Sequence, residues 1–131
     1  MRGEWLGASF KDYLADHYRV FGRRADLLVY FYERALGMMA DSGRLGFIVS
    51  NKWLKSGYGE PLRRYLSSGA RLDGLIDFGH SRIFQDADTF PIITLLSPHR
   101  DPEDGSTPSS EVLVAAVPRD ALGAAGLSQL I

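Results

Sequence analysis

Asp26-Leu27-Leu28-Val29-Tyr30-Phe31-Tyr32-Glu33-Arg34-Ala35-Leu36 and, after a break at Gly43, Arg44-Leu45-Gly46-Phe47-Ile48-Val49-Ser50-Asn51-Lys52-Trp53 decide how this chain is read. The first stretch predicts an amphipathic helix. Asp26 precedes it, where a carboxylate accepts free amides of the first turn and suits the positive end of the helix dipole. Leu27, Tyr30, Phe31, Arg34, Ala35, Met38 and Met39 then recur every three to four residues as the predicted inward face, which ends at Asp41-Ser42-Gly43. Leu45 to Ser50 is a short apolar run with polar or turn residues at each end, the pattern of a strand buried on both faces of a parallel sheet. In open α/β sheets ligands sit beyond the carboxyl ends of the strands, so the polar exit Ser50-Asn51-Lys52-Trp53 is where a site is expected.

Upstream, Ser9 is a candidate N-cap, and Phe10, Leu14 and Tyr18 recur at helical spacing up to Gly22. Downstream, Tyr58-Gly59-Glu60-Pro61 reads as a helix start, because Pro is tolerated in a first turn. Leu62, Tyr65 and Leu66 form its inward face before Gly69. Arg71 to Phe78 and the β-branched Thr89 to Leu96 predict two more strands, and Glu111 to Val117 a fourth. Residues 97–110 are rich in Pro, Ser and acidic residues and are expected to form a mobile loop. The tail from Pro118 has the composition of a short helix weakened by Gly123 and Gly126. No internal repeat is evident, and one domain over residues 1–131 is expected.

Composition sets further bounds. With 45% hydrophobic and 24% charged residues, the 131-residue chain has ordinary globular character. It contains no Cys, and His17, His80 and His99 are scattered, so neither disulfides nor a structural zinc are expected. No window approaches the roughly 20 apolar residues that span a bilayer, and a cytoplasmic location is the expectation. The net charge of −1 hides an asymmetry: residues 1–64 hold eleven basic and seven acidic residues, residues 65–131 four and nine. A phosphate-facing surface would therefore lie in the first half, among Lys11, Arg19, Arg23, Arg24, Lys52, Lys55, Arg63 and Arg64. The bland alternative is an ordinary solvated face.

Five pieces of this sequence, in order, resemble the gamma-type N6-adenine DNA methyltransferases of type IIG restriction-modification and phage-exclusion systems. Asp26 to Leu36 resembles the helix after the catalytic loop, and Gly43 to Val49 the next strand. Asn51-Lys52-Trp53-Leu54 with Gly57-Tyr58-Gly59-Glu60 resembles the loop and helix after that strand. Ile76-Asp77-Phe78-Gly79, Ile83-Phe84 and Thr89-Phe90-Pro91 resemble the hairpin that closes the sheet. The likeness covers roughly residues 1–97. It implies a partial Rossmann-like, S-adenosylmethionine-dependent methyltransferase fold of the α/β class: the second half of the sheet with its closing antiparallel hairpin. The family's Asn-Pro-Pro-Tyr loop and glycine-rich donor loop are absent from these residues, and Met1-Arg2-Gly3-Glu4 resembles the residues immediately after Asn-Pro-Pro-Tyr. The expectation is thus a portion inactive by itself, from a parent that uses S-adenosylmethionine and double-stranded DNA.

The exocyclic amine of adenine is a weak nucleophile, so the family sets acceptors against its hydrogens where positive charge develops; none of those acceptors is expected here. The base must also leave the duplex, and an aromatic platform recovers part of the unstacking cost. The resemblance gives that position to Phe84, whose alternative role is to plug the gap between two strands. Lys52 and Trp53 are candidates for contacting the target nucleotide; for Trp53 the favoured alternative is an anchor of the loop in the core. Phe31, together with Asp26, is a candidate contact of the methyl donor, its alternative being a core aromatic. Lys55 and Arg63 are candidate DNA-phosphate contacts. Asp86-Ala87-Asp88 lacks an accompanying Lys or third carboxylate and reads as a solvated turn rather than a nuclease metal site. A non-catalytic methyltransferase-like module that binds nucleic acid or protein remains a rival reading. The strand Leu45 to Ser50 is expected to leave an apolar edge unpaired, which favours a homo-oligomer or a rearranged edge.

Overall fold

The computed structural model describes residues 6–79, 89–99 and 111–117. Three helices, α1 (Ala8–His17), α2 (Leu28–Gly37) and α3 (Glu60–Gly69), accompany four strands, β1 (Leu45–Ser50), β2 (Ala70–Asp77), β3 (Pro91–Pro98) and β4 (Leu113–Ala116). The sheet order is β1-β3-β2-β4. β3 runs antiparallel to both β1 and β2, while β4 is parallel to β2. The expected closing hairpin is therefore present as β2–β3, with β3 inserted between the mutually parallel β1 and β2. Two expectations for β1 are corrected. Its described hydrogen-bonded neighbour is antiparallel, and among the described residues only one of its faces is covered: Phe47 packs against the core while Ile48 is 52% exposed.

The helices explain this one-sidedness. α2 and α3 lie on the same face and share one core with Leu96 of β3, built from Leu14, Val20, Ala25, Val29, Tyr30, Tyr32, Trp53 and Leu62. Asp26 Oδ1 accepts from the Leu28 amide at 3.2 Å, as its place before the helix predicts, although Leu27 is the residue at the helix boundary. The inward face of α2 is Val29, Tyr32 and Leu36, joined by Tyr30. Phe31, Arg34 and Met38 point outward instead, a rotation of the face expected from periodicity. In α1 only Leu14 is buried, whereas Phe10, Tyr13 and His17 stack along the exposed side. β3 extends through Pro98, so the first two residues assigned to a loop are strand, and the remainder of 100–110 lies outside the described residues. The tail from Pro118 lies outside them as well.

Tyr32 ties the layers together. Its ring meets Phe47 edge-on at 5.0 Å and Trp53 at 5.6 Å, and its hydroxyl shares a 2.7 Å hydrogen bond with Thr94 Oγ1 in β3. Both residues are buried, so each hydroxyl depends on the other for its partner. Burial pushes the Tyr32 phenol up from 10.0 to about 12, with the Thr94 hydrogen bond acting in the opposite direction. A raised phenol pKa in the folded state means that this contribution to stability is intact below pH 10.0 and is lost as pH rises through about 12.

Tyr32→Phe, which strands the Thr94 hydroxyl in the core, is expected to cost about 1–3 kcal/mol in urea denaturation. Tyr32→Phe with Thr94→Val restores much of that loss, because no buried polar group is then left alone. Tyr32→Phe also flattens the decline of stability between pH 10.0 and about 12. An additive double mutant would refute the coupling.

Candidate functional site

The carboxyl ends of the parallel strands β1 and β2 meet at one end of the sheet, together with the start of β3. After Ser50 the chain turns in a short 3₁₀ segment, Asn51–Leu54, and then a second, Gly57–Gly59, before α3. Ser50 Oγ accepts from the Lys52 amide at the entry. Trp53 swings inward and is 4% exposed, while Lys52 and Lys55 on either side of it are exposed. The indole thus serves as the anchor that holds a basic turn at the sheet end. It lies against Tyr32, in the core rather than at a surface where a base could reach it.

Two further contacts set the shape of this turn. Arg63 of α3 donates from Nη1 to the carbonyls of Trp53 and Ser56, the latter at 3.1 Å, so this candidate phosphate contact is engaged in holding the turn. Gly59 passes against Trp53: a Cβ built there would lie 2.0 Å from the Trp53 carbonyl oxygen. Only a residue without a side chain fits, and this explains the glycine in Tyr58-Gly59-Glu60.

Asn51 and Asp77 stand at the centre of the site, and no role was assigned to either from sequence. The Asn51 side-chain amide donates to Asp77 Oδ1 at 3.3 Å, and the Asn51 backbone N–H donates to the Phe90 carbonyl at 2.8 Å. Asp77 Oδ1 also accepts from the Gly79 amide at 2.9 Å, closing an Asx turn in which Gly79 takes φ +58°. The two ends of the segment between β2 and β3 are therefore tied to the exit of β1. Phe84, the candidate stacking platform, and Asp86-Ala87-Asp88 fall on this segment but outside the described residues. The sequence signal was Asp77-Phe78-Gly79 itself, since Asp followed two residues later by Gly is the signature of such a turn.

Phe31 is 62% exposed on the outer side of α2, which excludes its alternative as a core aromatic. Asp26 lies at the same helix's beginning and is half-buried. A cleft of about 510 Å³ borders the same helix at Glu33, Arg34 and Gly37, and two others are lined by neither Phe31 nor Asp26. One of about 500 Å³ is bordered by Arg19, Gly57, Glu60, Arg64 and Tyr65, beside the turn and the start of α3. A slightly larger one, about 560 Å³, opens at the opposite end of the sheet, where Arg44 and Arg71 are already held by Asp73 at 2.9 and 2.7 Å. Its position away from the strand exits separates it from the candidate chemistry. Among the described residues no His, Asp and Glu cluster could hold a metal ion, and no helix is long and apolar enough to cross a membrane.

The arrangement is that of a methyltransferase-like α/β sheet. It superposes with a TM-score of 0.68 on a putative class I S-adenosylmethionine-dependent methyltransferase from Listeria monocytogenes, at 15% identity, covering 91% of this chain and 36% of that one. The Eco57I restriction-modification methylase family matches residues 1–84, and the chain belongs to that family. It is 42% identical over 74 residues to the type II methyltransferase M.XhoI of Xanthomonas vasicola, covering 56% of this chain and 14% of that protein. It is 32% identical over 98 residues to M.PaeR7I of Pseudomonas aeruginosa, covering 74% of this chain and 17% of that protein. The restriction enzyme and methyltransferase RM.Eco57I of Escherichia coli is 29% identical over 80 residues, 61% of this chain and 8% of that protein. The chain thus spans less than a fifth of each of these relatives.

Gly59→Ala is expected to destabilise the chain by about 2 kcal/mol or more, since backbone rather than a flexible side chain must yield. Gly57→Ala, whose Cβ would meet nothing within 4 Å, should stay within roughly 0.5 kcal/mol. Thermal melts of the two variants side by side check this, and equal losses would refute the close approach at Trp53.

Proposed function

We propose that this chain is the base-facing portion of an S-adenosylmethionine-dependent, adenine-N6 DNA methyltransferase of a restriction-modification system, acting in the cytoplasm. The observation that carries the reading is the strand exit. A rigid turn, pinned by Trp53 and Arg63, offers Lys52 and Lys55 to solvent at the carboxyl ends of β1 and β2. Positive charge on a preorganised turn is what positions a DNA backbone without reading its sequence. Membership of a restriction-modification methylase family supports the same substrate class.

Within that reading each residue has a defined task. Lys52 and Lys55 neutralise phosphate near the displaced nucleotide. Phe84 offers a ring to the extruded purine, and the Asn51–Asp77 clamp holds both ends of the segment that carries it. Arg63 acts on phosphate indirectly, by fixing the turn. Phe31 and Asp26 belong to the donor side. S-adenosylmethionine supplies an activated methyl group when bound. Groups that accept the adenine amine hydrogens come from an Asn-Pro-Pro-Tyr loop that these residues do not contain, so the chain by itself transfers no methyl group.

Two measurements test this. Titration calorimetry of the isolated chain with S-adenosylmethionine is expected to give no heat of binding, and submicromolar affinity would show that the donor site is complete without further residues. Fluorescence anisotropy with a short duplex is expected to show weak, salt-dependent binding. Lys52→Glu with Lys55→Glu should lower that affinity about tenfold or more and reduce the slope of log K against log salt by roughly two. Binding that ignores both charge reversals would remove DNA from this surface.

A further inference from the structure

The outer side of the helical layer holds chemistry that the strand exit does not use. Two clefts, of about 500 and 510 Å³, share Arg19 and Tyr65 and meet there as one groove between α1, α2 and α3. Arg64 and Ser68 of α3 border one half, and Tyr13, His17 and Arg34 border the other.

The groove is positive because of how its carboxylates are engaged. Glu33 accepts from the backbone amides of Arg19 and Val20, one at each oxygen, at 3.1 and 3.0 Å. That pins the connection between α1 and α2 and turns the Glu33 charge toward amides rather than a guanidinium. Arg19 and Arg34 are both exposed and enter no ion pair among the described residues. Glu60 pairs with Arg64 at 2.6 Å, but the two side chains are 53% and 81% exposed, so the pair contributes little and a phosphate can replace its carboxylate.

α1 adds an aromatic surface to this charge. Tyr13 and His17, one turn apart, stack at 4.1 Å with planes 23° from parallel, and Phe10 continues the row at 6.4 Å from Tyr13. His17 Nδ1 donates to the Tyr13 carbonyl at 2.8 Å, which fixes the imidazole. Core packing does not account for the row: Leu14 is the buried residue of this helix, while Phe10 and Tyr13 are 44% and 48% exposed. Near-parallel rings left in water beside guanidinium groups match what an unpaired nucleic-acid strand requires, since bases continue the stack and phosphates follow the cations. A duplex keeps its base faces stacked on one another and has none to offer the row. An acidic peptide would engage the arginines and leave the rings unused.

We infer that the groove between α1, α2 and α3 binds single-stranded nucleic acid, with Tyr13 and His17 stacking on bases and Arg19, Arg34 and Arg64 taking phosphates. The site is separate from the turn that carries Lys52 and Lys55, and it does not rest on the function proposed for that turn.

The test is fluorescence anisotropy of the whole chain with a labelled oligothymidylate of about twelve residues, which is expected to bind in a salt-dependent way. Tyr13→Leu with His17→Leu keeps apolar bulk and helix propensity but removes the rings, and should weaken that binding about tenfold. Tyr13→Phe, which keeps a ring, should retain it. Arg19→Glu with Arg34→Glu should reduce the slope of log K against log salt by about 1.4, the value for two phosphates of a single strand. All four side chains are exposed, so these variants are expected to melt with the parent chain. The inference is overturned if the oligothymidylate does not bind, if its affinity is indifferent to loss of the rings, or if polyglutamate displaces it as readily as unlabelled strand does. It is equally overturned if Lys52→Glu with Lys55→Glu weakens oligothymidylate binding as steeply as duplex binding, because the strand would then lie at the strand exit.

Discussion

Tyr32 is the point through which the helical layer, the sheet and the strand exit are made into one body. Its hydroxyl is bound to Thr94 in β3, its ring edge meets Phe47 in β1, and its other side supports Trp53 in the turn. Hydrophobic burial alone would let these elements slide, because apolar contact is non-directional. The hydroxyl pair removes that freedom, since both groups lose water on folding and only one alignment satisfies them. From this alignment comes the position of Trp53, and from Trp53 the outward display of Lys52 and Lys55. Gly59 and Arg63 complete the same chain of constraints from the α3 side, one by yielding space and the other by binding the carbonyls of the turn.

The strands were legible from alternating or short apolar runs, β-branched in Thr89 to Leu96, bounded by polar or turn residues. Arg71 to Phe78 became β2 at Ala70–Asp77, and Glu111 to Val117 contains β4 at Leu113–Ala116. The orientation of α2 was not legible, for a physical reason. Leu27, Leu28, Val29, Tyr30, Phe31, Tyr32, Ala35, Leu36, Met38 and Met39 make the helix apolar nearly all round, so periodicity offers several stripes and does not choose between them. Partner orientation for β1 was misread for a similar reason: burial pattern reports how many faces are covered, not which way the neighbour runs. At the site, Trp53 as anchor followed from residue type, whereas the Asn51–Asp77 bond joins residues 26 positions apart, a pairing only the folded register creates.

These misreadings share a direction. Sequence patterning overstated burial at Ile48, Phe31 and Met38, and each of these is an apolar side chain that the described fold leaves open to water. Exposed apolar groups scattered singly are ordinary on a protein surface, whereas here they form rows across a sheet, beside an edge that no described strand pairs. The opposite case is the strand exit, where polarity, turn chemistry and exposure agree. Ser50 caps the turn, Asp77 and Gly79 close theirs, and the lysines face outward.

This contrast orders the molecule by function. The exit turn is locally complete: every constraint that shapes it, from Tyr32 to Gly59, comes from within the described residues, so its geometry needs no partner. The open face and the β1 edge are locally incomplete, since their backbone groups and apolar rows gain nothing from any described neighbour. The two surfaces thus differ in kind: the exit turn keeps its shape through contacts among the described residues, while the open face presents its apolar rows to water.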